Sequence, residues 1–144
     1  PIVLKFISFN GASFKLSDKN PLTKNNTSTS KLGVFTNSGN NWEGNYLDLI
    51  SPIDLEKGNT IKLALHSNKS VEIILKLEKV GDENSSIERS AFHSGNKWEE
   101  LSFSFSSLKK YNRLVIFIDG PGTTSGDFYI DQILQSNSKI QLKK

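Results

Sequence analysis

Two runs in the middle of the chain constrain its architecture more than any other feature. "TIKLALHS" (60–67) and "SVEIILKLEK" (70–79) alternate apolar and polar residues almost without a break. Ile61, Leu63 and Leu65 fall on one side of an extended chain and Lys62, Ala64 and His66 on the other, and Val71, Ile73, Leu75 and Leu77 repeat the pattern. A side-chain period of two belongs to strands, because successive Cβ atoms point to opposite faces of a sheet. Runs of the same kind occur at 2–9, 31–36, 45–50, 98–107, 113–119 and 127–133. Asn-Gly at 10–11, Ser-Gly-Asn at 38–40 and 94–96, Lys-Gly-Asn at 57–59 and "DGPGTTSG" at 119–126 separate them, as turn-forming clusters do. About eight short strands and no credible long helix predict an all-β fold, a two-sheet antiparallel β-sandwich of jelly-roll type.

A length of 144 residues suits one domain with one core. Residues 1–135 are expected to form that module, with 136–144 ("SNSKIQLKK") as a C-terminal tail or linker. The polar stretch 16–31 reads as irregular. A start at Pro1, directly before a strand-like run, suggests a processed protein or a domain of a longer chain, with neighbouring domains covalently linked to it.

Several function classes fall away. There are no cysteines, which removes disulfides, thiolate metal sites and Cys nucleophiles. The net charge of +3 is a small surplus of 18 basic over 15 acidic side chains. The basic doublets Lys109-Lys110 and Lys143-Lys144 are not interleaved with aromatics, as a nucleic-acid surface would be, so no nucleic-acid partner is expected. No apolar run approaches the ~18 residues of a membrane span, so this segment is not expected to insert. A Ser nucleophile would need a His and a carboxylate; the chain lacks a G-x-S-x-G elbow, and its two histidines, His66 and His93, read as surface or turn residues. Glu99 and Glu100 are adjacent on a strand and face opposite ways, so they cannot act as a glycosidase pair. The glycines of "DGPGTTSG" precede another strand, whereas a phosphate cradle needs a helix there.

Binding is the class that remains, and Trp42 is its focus. It stands in "TNSGNNWEGNYLDL" (36–49), among residues that should form a wet loop. Sugars present C–H faces that stack on aromatic rings and hydroxyls that suit amides and carboxylates. In strand register Trp42 would share a face with Gly44 and Tyr46, and Asn41, Glu43 and Asn45 would share the other, with Asn37 and Asn40 in the loop. Trp42 is then either an open stacking platform or a plug at one end of the sandwich. Trp98 reads as core, turned inward by an irregularity at Glu99-Glu100. Tyr111 is expected to be exposed, and one of the neighbours Phe128 and Tyr129 to look outward.

"NNWEGNYLDLISPIDL", "VEIILKLE", "KWEELSFSFSS", "YNRLVIFID" and "SGDFYIDQI" together resemble the glycan-binding modules found beside laminarinases, and in surface glycan-binding lipoproteins, of marine and gut Bacteroidetes. The resemblance spans about Val3 to Ile133. It implies a non-catalytic carbohydrate-binding module, extracellular or on the outer cell surface, attached to a glycoside hydrolase or a surface glycan-binding protein. It implies a polysaccharide partner, with β-1,3-glucan such as laminarin favoured, and Trp42, Tyr46, Asn37, Asn40, Asn41, Glu43 and Asn45 as ligand-binding residues. No cofactor is required. Many sandwich modules hold a structural Ca2+ between the first strand and an Asp of the last, which would make Asp131 a metal ligand; here Ser8 and Asn10 stand where acids would, so charged oxygen donors are short. The alternative functions are a structural or adhesive β-sandwich spacer, and a small lyase or hydrolase for which no residue is singled out.

Overall fold

The computed structural model describes residues 5–21 and 31–135, together with the backbone of Ser138–Lys139. Eleven strands occur among them: β1 (Ile7–Phe9), β2 (Ser13–Ser17), β3 (Leu32–Ser38), β4 (Gly44–Asp54), β5 (Thr60–Ser67), β6 (Val71–Lys79), β7 (Asp82–His93), β8 (Lys97–Ser104), β9 (Lys110–Ile118), β10 (Ser125–Gln135) and β11 (Ser138–Lys139). They form two antiparallel sheets ordered β1-β4-β9-β6-β7 and β2-β3-β10-β5-β8, with β11 pairing β10. The expected all-β jelly-roll sandwich is the fold observed.

The alternation of β5 and β6 puts Ile61, Leu63, Leu65, Ile73, Leu75 and Leu77 into the inter-sheet core, where Leu47, Leu114, Ile116, Phe103, Phe35 and Phe128 meet them. All are within a few per cent of complete burial. Each contributes about 1.5–3 kcal/mol relative to leaving it in water.

Strands β2 and β7 were not expected. Both lie at sheet edges, and β7 ("DENSSIERSAFH") is largely solvent-facing along its length. A strand paired on one side and wetted on one face has little need of an alternating apolar set. Of the expected strand at 2–9, only Ile7–Phe9 pairs; residues 1–4 lie outside the described residues, as do 22–30 of the polar stretch and most of the expected tail. Ser138–Lys139, within that tail, folds back on Leu134–Gln135.

Two further expectations are corrected. Tyr111 is fully buried, its hydroxyl 2.8 Å from Ser107 Oγ. It follows a register shift in the β4–β9 ladder between Asp48 and Ile53, and such a bulge re-aims the side chains beyond it. Trp98 is buried but faces away from the core. The β5–β8 register runs from Thr60↔Ser104 to Ser67↔Lys97 with no shift, which sets Trp98 opposite His66 on the outer side of the sheet. There Trp98 Nε1–H donates to Asn20 (2.8 Å), and its ring packs against His66, which also meets Tyr129.

Candidate functional site

The outer face of the β1-β4-β9-β6-β7 sheet is where apolar surface and hydrogen-bonding groups converge. Residues alternating with the core set come to this side. One row across the register is Phe9, Gly44, Phe117, Ile74 and Ser90; the next is Ile7, Tyr46, Val115, Lys76 and Glu88; a third is Asp48, Arg113 and Glu78. Val115 and Ile74 are buried despite facing outward, so they form a floor overtopped by larger neighbours.

Gly44 is required at the aromatic end of this floor. A Cβ there would lie 2.5 Å from Phe9 Cζ and 3.1 Å from Phe117 Cδ1; its absence lets the two rings close over β4 at 5.7 Å, edge to face. Trp42 completes the group. It is not in strand register but in the turn before β4, at φ 55°, a conformation that costs a bulky L-residue roughly 1–2 kcal/mol. Two neighbouring loops hold it there. Trp42 N–H donates to Gly120 O (2.5 Å), Asn10 Nδ2 donates to Trp42 O (2.8 Å), and Asn41 Nδ2 donates to Pro121 O and Gly122 O. The indole stands at 90° to Phe117 with centroids 5.4 Å apart. Its Cε3 and Cζ3 atoms lie where a Cβ on Gly120 would be. Even so packed, 44% of Trp42 remains exposed.

The other residues singled out in the sequence fall into two groups. Tyr46 is on the face, half-buried, with the Arg113 guanidinium 4.0 Å from its ring centroid. Arg113 is in turn held by Asp48 through Nε (2.7 Å) and Nη2 (3.2 Å), a bidentate geometry that raises its pKa further. Glu43, Asn45 and Asn37 are buried and serve the scaffold instead, which corrects their expected role. Glu43 accepts from Ser38 N–H and Oγ–H and from the N–H groups of Gly39 and Asn40, all at 2.7–2.8 Å. Burial alone would raise its pKa; these bonds to the charged form outweigh it and hold it below the usual glutamate value. Asn45 accepts from Ser8 Oγ on the inner side of β4, and Asn37 Nδ2 donates to Ile118 O. Asn40 and Asn41 are exposed, but their amides bond Asn10 O and the 121–122 carbonyls.

Sequence reasoning missed Arg113, Asp48, Phe117 and Phe9 as site neighbours, because nothing in a single strand says which strands lie beside it. The histidines are also corrected: His93 is fully buried and His66 nearly so. Gly95 N–H donates to His93 Nδ1 (2.9 Å), which makes Nε2 the protonated nitrogen and the donor to Leu65 O (2.9 Å). Asp131 is half-buried on β10 and engaged with other groups. Ser8 and Asn10 direct their polar atoms to Asn45 and Trp42, and no group of three or more His, Asp or Glu suited to a metal occurs among the described residues.

No family model matches the chain, and no curated protein does. Solved structures match in fold. The family 11 carbohydrate-binding module of the cellulosomal cellulase Lic26A-Cel5E of Clostridium thermocellum superposes with a TM-score of 0.63 at 13% identity, over 99% of this chain and 90% of that one. A family 11 module from the same organism, in complex with a β-1,3-1,4-mixed-linked tetrasaccharide, gives 0.62 at 14% identity over 90% and 85%. The xylan-binding CBM22-1 domain of Paenibacillus barcinonensis Xyn10C gives 0.58 at 12% identity over 96% and 86%. At such identities the likeness is one of fold, the β-sandwich shared by these carbohydrate-binding modules.

Proposed function

We propose that this chain is a non-catalytic carbohydrate-binding module that holds a polysaccharide on the outer face of its β1-β4-β9-β6-β7 sheet. The observation that carries this reading is Trp42: a strained backbone, anchored at both its N–H and its C=O, presents a half-exposed indole at the end of a face where Tyr46, Arg113 and Asp48 supply ring surface and hydrogen-bonding groups. Strain of this kind persists only where surrounding structure over-determines it, and it collects at binding sites. A sugar ring would lay its C–H face on Trp42. The guanidinium of Arg113 has five N–H donors, of which two go to Asp48, leaving donors for hydroxyls.

The favoured ligand is a β-1,3-glucan such as laminarin. The sequence resemblance supports this choice, as does the mixed-linkage glucan held by a module of like fold. Such a module would work outside the cell or on its surface, linked to a glycoside hydrolase or a glycan-binding lipoprotein. A shallow face gives modest affinity, roughly micromolar to millimolar, or about 8 to 4 kcal/mol, which attachment to further binding modules would multiply.

Native affinity electrophoresis against laminarin, mixed-linkage glucan, xylan, mannan and alginate, with wild type and Trp42→Ala side by side, tests the reading. Retardation by a glucan that vanishes in the variant is the expected result. No retardation by any glycan would leave a structural spacer as the function, and retardation that survives the substitution would move the site off Trp42.

A further inference from the structure

We propose that the binding face extends across the strands to the free edge of the sheet, where Phe92 forms a second aromatic subsite for a neutral glycan chain running from Trp42 past Glu72. This inference rests on the glycan-binding reading of Trp42.

Hydrogen bonds and register place these residues in one row. Trp42 N–H reaches Gly120 O, the adjacent Asp119 N–H reaches Glu72 O (2.8 Å), and Glu72 stands directly opposite Phe92 on β7. Residues directly opposite in an antiparallel pair share a face, so Phe92 and Glu72 are on the same outer side as Ile74 and Phe117. The Trp42 ring leans on Gly120, above the end of β9. From there to β7 is two strand spacings, roughly 10 Å, which exceeds one pyranose ring. A chain touching both aromatics must therefore cross the strands and occupy several sugar subsites.

Trp42 and Phe92, at 44% and 64% exposure, are the most exposed aromatic residues among those described. Single exposed apolar residues need no explanation, but two at opposite ends of one row do. The core gives Phe92 no role: Ile87 and Ala91 of the same edge strand pack against the core, whereas Phe92 faces outward beside Ser90 and Glu88 with a carboxylate, not an apolar side chain, across from it. An exposed aromatic at a free sheet edge also invites unwanted pairing.

The charges on the face select the ligand class. Its cations Arg113 and Lys76 are engaged with Asp48 (2.7 Å) and Glu78 (3.2 Å), while Glu72 and Glu88 have no cation within ion-pair distance among the described residues. The carboxylate of Glu72, between the two aromatics, accepts hydrogen bonds from sugar hydroxyls and repels uronates and sulfated sugars.

Isothermal titration with laminari- and mixed-linkage gluco-oligosaccharides, from disaccharide to hexasaccharide, tests this on wild type, Trp42→Ala and Phe92→Ala; an oligouronate of equal length is the anionic probe. Wild-type affinity should rise with length. Phe92→Ala, a change at an exposed position, should leave the disaccharide unaffected and weaken the hexasaccharide by roughly tenfold, while Trp42→Ala weakens every length. Unchanged hexasaccharide affinity in Phe92→Ala overturns the second subsite and leaves glycan binding standing, and equal wild-type affinity for the oligouronate overturns the neutral class. Failure of wild type to bind either neutral series overturns this inference together with the function it rests on.

Discussion

Trp42 and Phe117 meet at a right angle, centroids 5.4 Å apart, although 75 positions separate them in the chain, and this contact orients the indole at the end of a sheet face. Edge-to-face pairs add about 0.5–1.5 kcal/mol beyond area burial. That contact, the Gly120 backbone and the hydrogen bonds at its own peptide groups leave the ring little room to turn, so a ligand would lose little freedom in ordering it.

The two tryptophans are in opposite environments, which makes them separable by fluorescence. Trp42 is 44% exposed and Trp98 is 5% exposed. Acrylamide should quench one class of emission readily and the other poorly; Trp42→Phe should remove the accessible class and Trp98→Phe the protected one. Addition of laminarin to wild type should shield the accessible class and shift its emission to the blue.

Glu43 ties the Trp42 turn to the pH of the medium. Its folded pKa lies below the usual 4.5 because Ser38, Gly39 and Asn40 donate to the carboxylate, against the opposing effect of burial. A depressed carboxyl pKa stabilises the fold above the unfolded value, and that contribution is lost as pH falls through the folded one. Thermal melts should show the melting temperature dropping below about pH 4.5 in wild type. Glu43→Gln should be less stable at pH 7, by roughly 2–3 kcal/mol for the weakened donors, and should lose part of that acid dependence. The rest belongs to Glu99, whose pKa burial would raise but the Ser94 donors hold below the usual value.

His66 acts in a higher window with the same sign. Burial, and to a lesser degree the neighbouring His93, holds its pKa below 6.5, so the unfolded chain binds the proton more readily and stability falls as pH drops below about 6.5. His66→Gln should flatten the stability profile just below about pH 6.5 while leaving the lower, carboxylate step to which Glu43 contributes in place. Melts of the single and double variants across that range distinguish the two.

Much of the fold was legible because alternation reports burial on one face of a strand. The runs at 60–67 and 70–79 became β5 and β6 nearly residue for residue. Alternation does not report what covers the other face, and that is where reading failed. His66 alternates with core residues and so looks exposed, and Trp98 looks like core only if the strand is irregular at Glu99-Glu100; with the register unbroken both stand on the outer side and shelter each other, with Tyr129 and Asn20 alongside. Glu43 looked like a ligand group for a similar reason. Composition makes a carboxylate in a polar loop appear available, and only three-dimensional closure of residues 38–43 shows that backbone donors consume it. Trp42 stands out because a large aromatic conflicts with its local composition, and its half-exposed position in the turn before β4 is the one the platform reading needs, not the buried plug.

Arg113 separates packing from recognition. Its guanidinium is planar, forked onto Asp48 and stacked 4.0 Å over Tyr46. Lysine can keep the charge but neither the fork nor the stack. The pair is on the sheet surface, three-quarters shielded on each side chain, so its loss should change stability by no more than about 1 kcal/mol. If Arg113 serves to fix Tyr46 and donate to a ligand, Arg113→Lys should weaken glycan binding nearly as much as Arg113→Ala while both variants melt close to wild type. Titrations paired with melting curves check this. Full binding by Arg113→Lys would reduce the residue's part to charge alone, and a large fall in melting temperature would make it a structural strut.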